Sequence, residues 1–140
     1  MNPASRTYPR PLQCGGKPLE IARMTSADRD ALVAFVATLP AHDLLFLNRD
    51  ITHPKVIDAW MRALDRGQIN SLIVHDGPHM IGCTAIIVDP LSWSPHVGEL
   101  RIMASPAYRG MGLGRAMIQE CFAQALDLGL TKLVAQMTTR

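Results

Sequence analysis

The sequence predicts a single α/β domain whose mixed, mainly antiparallel sheet is flanked by helices. Three segments carry apolar residues at the spacing of a helix face, and five others are short apolar or alternating runs typical of strands. Asp76-Gly77 separates two of these runs and is a strong hairpin signal, so we expect the middle strands to be antiparallel. A length of 140 residues fits one domain.

The start of the chain predicts a tail followed by a strand. Residues 1–18 hold four prolines and two adjacent glycines, and they lack the apolar core of a secretory signal. We therefore expect a flexible tail over residues 1–18 and the domain over residues 19–140. Alternation of apolar and polar residues predicts the first strand at residues 19–22.

Two helices are predicted next. Thr25 and Ser26 are good caps for the first, and Pro40 ends it. Pro54 suits the first turn of the second helix, and Gly67 closes it. Their apolar faces are Leu32, Phe35, Val36 and Leu39 in the first helix, and Ile57, Trp60, Met61 and Leu64 in the second.

The second half predicts four strands and one helix. The strands are expected at residues 71–75, 80–88, 97–104 and 132–137, and Gly129 caps the helix that precedes the last of them. A helix between two strands favours a parallel pair, so the fourth and fifth predicted strands should be parallel. The helix face is Gly114, Met117, Ile118, Cys121 and Ala125.

Composition excludes several classes of partner. A net charge of +2 and 5% aromatic residues do not favour nucleic acid, and no apolar run approaches the roughly 20 residues that span a membrane. The three cysteines, Cys14, Cys83 and Cys121, are too widely spaced for a metal cluster and odd in number for a disulfide framework. We expect reduced thiols, a cytoplasmic protein and no metal.

The strongest motif is a glycine-rich turn that opens the third helix. Unpaired N–H groups at a helix start attract anions, and glycine allows the ligand to approach the main chain closely. A dinucleotide fold would place a third glycine where Arg115 stands, and would place the motif after a first strand. A P-loop would need Gly-Lys-Ser/Thr. The turn is Arg109, Gly110, Met111, Gly112, Leu113, Gly114 and Arg115.

With the strand before it, the run from Glu99 to Arg115 resembles the acyl-CoA-binding core of the GNAT superfamily of N-acyltransferases, and the resemblance extends over about residues 19–140. It implies that backbone N–H groups of the turn hold the pyrophosphate of acetyl-CoA, with charge from Arg109 and Arg115. It also implies that the main chain of Ile102 and Met103 pairs with the pantetheine arm.

Acetyl transfer to an amine needs a base, because the acceptor is mostly protonated at neutral pH. Glu99 is the candidate, since the family often has a carboxylate at the equivalent place in its fourth strand. Strand alternation places Glu99 and Arg101 on one face. The alternative is therefore that Glu99 is a structural ion-pair partner of Arg101.

Three residues are candidates for the acceptor site. His96 lies at the mouth of the same strand and could contact the acceptor or act as a base. Trp93, in a proline-flanked loop, could wall the pocket, and Phe46 lies in the connection between the first two helices, which usually shapes the acceptor site in the family. The alternatives are a loop histidine, a packed loop anchor and ordinary turn residues.

The chain departs from the family at its end. The family continues beyond the fifth strand with a helix that often carries a tyrosine acid, and with two more strands, whereas this sequence stops at Arg140. Neither Tyr8 nor Tyr108 matches that tyrosine. We expect a truncated member, or one completed by a homodimer through its exposed fifth strand. The expected activity is acetyl transfer to a small-molecule amine or a protein lysine; the alternative is an inactive acyl-CoA-binding or regulatory module.

Overall fold

The computed structural model describes residues 7–39, 45–46, 49–50, 53–88, 96–108 and 110–135. Within these ranges the chain forms a seven-stranded sheet and a separate two-stranded one, with three helices. The elements are β1 (Arg10–Cys14), β2 (Lys17–Arg23), α1 (Arg29–Val36), β3 (Leu45–Phe46), β4 (Arg49–Asp50), α2 (Pro54–Asp65), β5 (Ile69–Asn70), β6 (Leu72–Asp76), β7 (His79–Ile87), β8 (Val97–Ala104), α3 (Leu113–Asp127) and β9 (Lys132–Ala135).

The large sheet has the order β1-β2-β6-β7-β8-β9, and β5 also pairs with β7. All of its pairs are antiparallel except β8 with β9, which is parallel. The predicted fold class and the predicted parallel pair are therefore confirmed. In the described residues, β9 ends the sheet; residues 136–137 of the predicted strand lie outside them.

The N-terminal segment differs from the prediction. The expectation of a flexible tail is wrong for Arg10–Cys14, which forms β1 and pairs with β2 from Arg10↔Ile21 to Cys14↔Lys17. Leu12 and Cys14 are buried against the core. Proline content suggested disorder, but a strand at the edge of a sheet tolerates proline because its outer N–H groups need no partner strand.

The predicted helices are confirmed with small shifts at their ends. A 3-10 turn at Ser26–Asp28 precedes α1, and the Thr25 N–H donates to Asp28 Oδ2 at 2.8 Å. Pro54 is the first residue of α2, whose cap is His53. The residues of both predicted faces are buried except Leu64, which is half-buried: Leu32, Phe35, Val36, Leu39, Ile57, Trp60 and Met61.

The sheet separates two packing layers. Helices α1 and α2 cover one face with a core that includes Met103, and α3 covers the other with a core that includes Leu100. Side chains alternate along a strand, so Glu99 and Arg101 share the α1–α2 face with Met103. The hairpin between β6 and β7 turns at residues 77–78, one residue later than predicted, because Asp76 is still paired with His79.

Candidate functional site

The end of β8 leaves a free edge beside the glycine turn. Pairing with β9 runs from Val97↔Lys132 to Leu100↔Ala135, and β8 then continues to Ala104 with β7 on its other side. Among the described residues, no strand pairs with this last half of β8 on the β9 side. It can therefore accept an extended group as a further strand.

Peptide groups point alternately to the two edges of a strand, and this decides which of them are accessible. The Ser105 N–H donates to the Ile81 oxygen at 2.8 Å, so the backbone N–H and C=O groups of odd-numbered residues in this strand face β7. The His96 oxygen accepts from the Thr131 N–H at 2.9 Å, so the backbone N–H and C=O groups of even-numbered residues face β9. Of the two predicted pantetheine contacts, Ile102 faces the free edge, whereas the peptide of Met103 faces β7.

The glycine turn leads into α3 with an open N-terminus. Gly112 is the N-cap, has φ of 79° and brings no side chain to close the helix start. The first bond within the helix is from the Ala116 N–H to the Gly112 oxygen, at 3.0 Å. The N–H groups of Leu113, Gly114 and Arg115 precede it and have no helical carbonyl to bind, as at any helix start.

The space around the turn is clear. A Cβ added to Gly110, Gly112 or Gly114 would meet nothing within 4 Å. Leu113, in contrast, is only 2% exposed and anchors the turn in the core next to Met117. Leu113 thus fixes the turn in the core, while the three glycines leave room beside its backbone, which fits a large anionic ligand such as a pyrophosphate. Arg115 is exposed, and Arg109 lies outside the described residues.

A polar cluster lies directly before the turn. The Tyr108 hydroxyl donates a short hydrogen bond to Asp76, and Lys17 Nζ lies 3.6 Å from Asp76 Oδ2. The hydrogen bond from Tyr108 lowers the pKa of the Asp76 carboxyl. The same bond raises the pKa of Tyr108. At neutral pH Asp76 is therefore a carboxylate that accepts the hydrogen bond, and Tyr108 keeps the hydroxyl proton that it donates.

Glu99 and Arg101 form an ion pair on the α1–α2 face of β8. Arg101 Nη2 donates to Glu99 Oε1 at 2.9 Å, with the Glu99 side chain 31% exposed. Arg101 Nε is buried and has no hydrogen-bond partner among the described residues. The ion pair confirms the contact that the sequence offered as the alternative, while leaving part of the carboxylate accessible. Whether Glu99 also acts as a base stays a prediction.

The acceptor candidates are only partly described. His96 is exposed at the start of β8. The side chain of Phe46, whose backbone belongs to β3, and all of Trp93 lie outside the described residues. Their roles at an acceptor site stay predictions.

Sequence reasoning missed a buried charge on α3. Glu120 is 2% exposed and accepts a hydrogen bond from the Tyr8 hydroxyl at 3.0 Å. Arg10 Nε lies 3.7 Å from its other oxygen. The sequence does contain a signal for this burial, because Glu120 follows Met117 by three residues and therefore lies on the apolar face of the helix. Its role is to tie the N-terminal segment to α3.

The cysteines offer no nucleophile. Cys14, Cys83 and Cys121 are buried and free. Burial raises the pKa of Cys83 strongly and that of Cys121 to about 11, so both remain thiols at neutral pH. In the described part of the chain, no three His, Cys, Asp or Glu side chains gather into a metal-binding group. No described helix has the length and apolar character needed to cross a membrane.

Comparison with known proteins gives one family and many similar folds. Residues 26–140 match the family described as Acetyltransferase (GNAT) family. No curated protein matches the chain. The GNAT domain of S. lividans PAT has a TM-score of 0.79 at 15% identity, over 94% of this chain and 80% of that one.

Two further solved structures are similar in fold. A predicted acetyltransferase from Clostridium acetobutylicum, solved with acetyl-CoA, has a TM-score of 0.69 at 16% identity over 86% of this chain and 82% of that one. Mycobacterium smegmatis RimJ, in complex with CoA-disulfide, has a TM-score of 0.68 at 12% identity over 96% and 69%. At these identities the similarity establishes the fold.

Proposed function

The chain belongs to the acetyltransferase (GNAT) family, and from this premise we propose that it transfers the acetyl group of acetyl-CoA to a primary amine. The observation that carries the proposal is the open start of α3, with clear space at Gly112 and Gly114, beside the free edge of β8. The similar C. acetobutylicum protein was solved with acetyl-CoA, which supports the choice of donor.

The donor is held through the main chain in this proposal. The pyrophosphate lies at the N–H groups from Gly110 to Arg115, where the helix dipole favours negative charge. The pantetheine arm extends along β8, and the peptide of Ile102 is its partner because that peptide faces the open edge. This arrangement brings the thioester towards the middle of β8, near Glu99.

The transfer itself is direct. Glu99, alone or through one water, accepts a proton from the acceptor ammonium, and the amine nitrogen then attacks the thioester carbonyl carbon. The new C–N bond forms, the C–S bond breaks, and CoA leaves as a thiolate that takes up the second proton, which the acylated nitrogen releases. Arg101 is a positioning residue, because its 2.9 Å bond holds one carboxylate oxygen and leaves the other to face the amine.

A second candidate function rests on the same ion pair. If Arg101 holds Glu99 so firmly that no proton moves, the chain binds acyl-CoA without turnover and acts as a binding or regulatory module. The acceptor in the active case is a small amine or a protein lysine. The three buried thiols fit a reducing, cytoplasmic location.

One pair of measurements tests the proposal. Acetyl-CoA should raise the melting temperature of the protein by mass action, by an amount that corresponds to about 2.7 kcal/mol at a hundred times Kd. Thiol release from acetyl-CoA with a panel of amines and lysine peptides then separates the enzyme from the binding module. A folded protein that shows no shift at millimolar acetyl-CoA would contradict both functions.

A further inference from the structure

We propose that the turn between β1 and β2, residues 14–17, holds the glycine turn in its ligand-binding conformation and so sets the affinity for acetyl-CoA. This inference rests on the proposed function, because it assumes that the glycine turn binds the donor. The β1–β2 hairpin precedes the region that matches the family, residues 26–140, so the contact adds a part to the site that the family match does not include.

The first contact is a hydrogen bond between the two turns. Cys14 Sγ donates to the Met111 carbonyl oxygen at 3.1 Å, across 97 residues of sequence. Met111 stands between Gly110 and Gly112, which both have positive φ. The bond therefore fixes the peptide that joins Met111 to Gly112, which lies between the two positive-φ glycines of the turn.

The second contact is the close packing of the Met111 side chain against Gly15. Gly15 has φ of +58°, and a Cβ built on it would lie 2.7 Å from Met111 Cε and 3.0 Å from Met111 Cβ. The Met111 side chain is half-buried and packs with the core between the sheet and α3. A Cβ at position 15 crowds Met111, whose terminal Cε can rotate away but whose Cβ, at 3.0 Å, yields only by a shift of a few tenths of an ångström within the glycine turn.

The third contact reaches the residues just before the turn. Lys17 Nζ lies 5.3 Å from the centroid of the Tyr108 ring, within the range of a cation–π interaction. It also lies 3.6 Å from Asp76, to which Tyr108 donates its hydroxyl. Cys14 and Gly15 thus hold Met111 within the glycine turn, and Lys17 holds Tyr108 at the point where the turn begins.

These contacts affect affinity because a flexible glycine turn binds acetyl-CoA less tightly than a fixed one. Where only a fraction of molecules has the binding conformation, the apparent Kd rises by the inverse of that fraction. Without the contacts from residues 14–17, the positive-φ glycines of the turn have other conformations to sample. If the loss of these contacts lowers the fraction of molecules in the binding conformation to about a tenth, the apparent Kd for acetyl-CoA rises about tenfold.

The test compares two neighbouring glycines. Gly15→Ala and Gly16→Ala both place alanine at a positive φ, but a Cβ on Gly16 meets nothing within 4 Å. We expect Gly15→Ala to raise the Kd for acetyl-CoA about tenfold, with KM rising in parallel and kcat within about twofold of wild type. Gly16→Ala should stay within about twofold on every measure. Calorimetry gives Kd, and thiol release gives KM and kcat.

A rescue variant separates displacement of Met111 from a general loss of stability. Met111→Ala removes the atom that the new Cβ would meet first, so Gly15→Ala with Met111→Ala should regain most of the lost affinity relative to Met111→Ala alone. If Gly15→Ala does not fold, Cys14→Ala and Lys17→Met carry the test, and each should raise Kd.

The outcomes are distinguishable. Wild-type protein that is folded and fails to bind acetyl-CoA contradicts the proposed function. Wild-type protein that binds, with Gly15→Ala equal to Gly16→Ala in Kd, overturns the inference alone. Where Gly15→Ala is unfolded, an unchanged Kd in both Cys14→Ala and Lys17→Met overturns it as well.

Discussion

The two halves of the proposed site are built from different parts of the chain. The proposed donor half is backbone: the glycine turn offers peptide N–H groups and open space at its glycines, with Leu113 buried in the core and Arg115 exposed. The acceptor half is side chain: Glu99 and Arg101 project from β8 and bind each other at 2.9 Å. In the proposed site, the donor half leaves space for the ligand at exposed backbone groups, and the acceptor half positions charged side chains.

This difference predicts opposite responses to substitution. A backbone site loses function when volume is added, even where the fold is unharmed or more stable. A side-chain site loses function when a charge is removed at constant volume.

The largest effect is expected on the acceptor side. Glu99→Gln keeps the shape of the side chain and removes its ability to take a proton, so kcat should fall about 10²–10⁴-fold, as for loss of a general base. The Kd for acetyl-CoA should stay within about twofold of wild type. Steady-state kinetics and calorimetry on the same preparation measure both.

The control for that change is Glu20→Gln, which makes the same substitution on an exposed side chain of β2. It should leave kcat unaltered. An undiminished kcat in Glu99→Gln at every pH would mean that Glu99 serves only the ion pair with Arg101.

The next effect is expected on the donor side. Gly114 lies in the first turn of α3 without a positive φ, and a Cβ there meets nothing within 4 Å. Gly114→Leu should keep or raise the melting temperature, since leucine is the better helix former by up to about 1 kcal/mol. It should also weaken acetyl-CoA binding about 100-fold, because it fills the pyrophosphate space and costs several helix-terminus contacts.

The matched control is Gln119→Leu, an exposed change further along the same helix. It should alter neither Kd nor kcat. Unchanged acetyl-CoA affinity in a folded Gly114→Leu protein would show that the open space at the helix start does not hold the donor.

The strand, turn and helix of the proposed donor half could be predicted from sequence because they are local, whereas their role in binding the donor stays a prediction. The strand, turn and helix run consecutively from β8 to α3, and glycine marks where backbone must be exposed. That only Ile102, and not Met103, offers its backbone groups to the open edge could not be predicted, because it depends on which edge of β8 is covered by β7. Adjacent peptides point to opposite edges, so only one of the two faces the open side.

The N-terminal hairpin was not predicted, because proline content in residues 1–18 suggested disorder and part of the hairpin's support is long-range. β1 pairs with the neighbouring strand β2, and Tyr8 and Arg10 contact Glu120 on α3. The pairing is local, but Glu120 lies 112 residues from Tyr8 in the sequence. The acceptor half is predictable only as candidates, since strand alternation puts Glu99 beside Arg101 without saying which role dominates.

A third prediction concerns a glycine with the opposite purpose. A Cβ on Gly98 would lie 2.7 Å from Leu130 Cδ1 and 3.0 Å from Ile86 Cγ2, so this glycine lets the segment between α3 and β9 pack closely on β8 beside β7. Gly98→Ala should lower the free energy of unfolding by about 1–3 kcal/mol, as overpacking does. Urea denaturation measures it. Gly114→Ala is the control, and it should lose no stability; equal behaviour of the two would contradict the distinction between packed and open glycines.

The smallest effect is expected at the cluster before the glycine turn. Because the pKa of Asp76 is lowered from 3.8 by the Tyr108 hydrogen bond, its contribution to stability is present above pH 3.8 and is lost as the pH falls through the lowered value. Because the pKa of Tyr108 is raised above 10.0, its contribution is present below pH 10 and is lost as the pH rises through the raised value. Tyr108→Phe should therefore lower the melting temperature slightly and evenly between about pH 5 and 9, and the difference from wild type should shrink outside the two limits. Thermal melts of both proteins within that range and beyond both limits test this, and a difference that persists unchanged at the acidic and alkaline extremes would assign Tyr108 to packing rather than to its bond with Asp76.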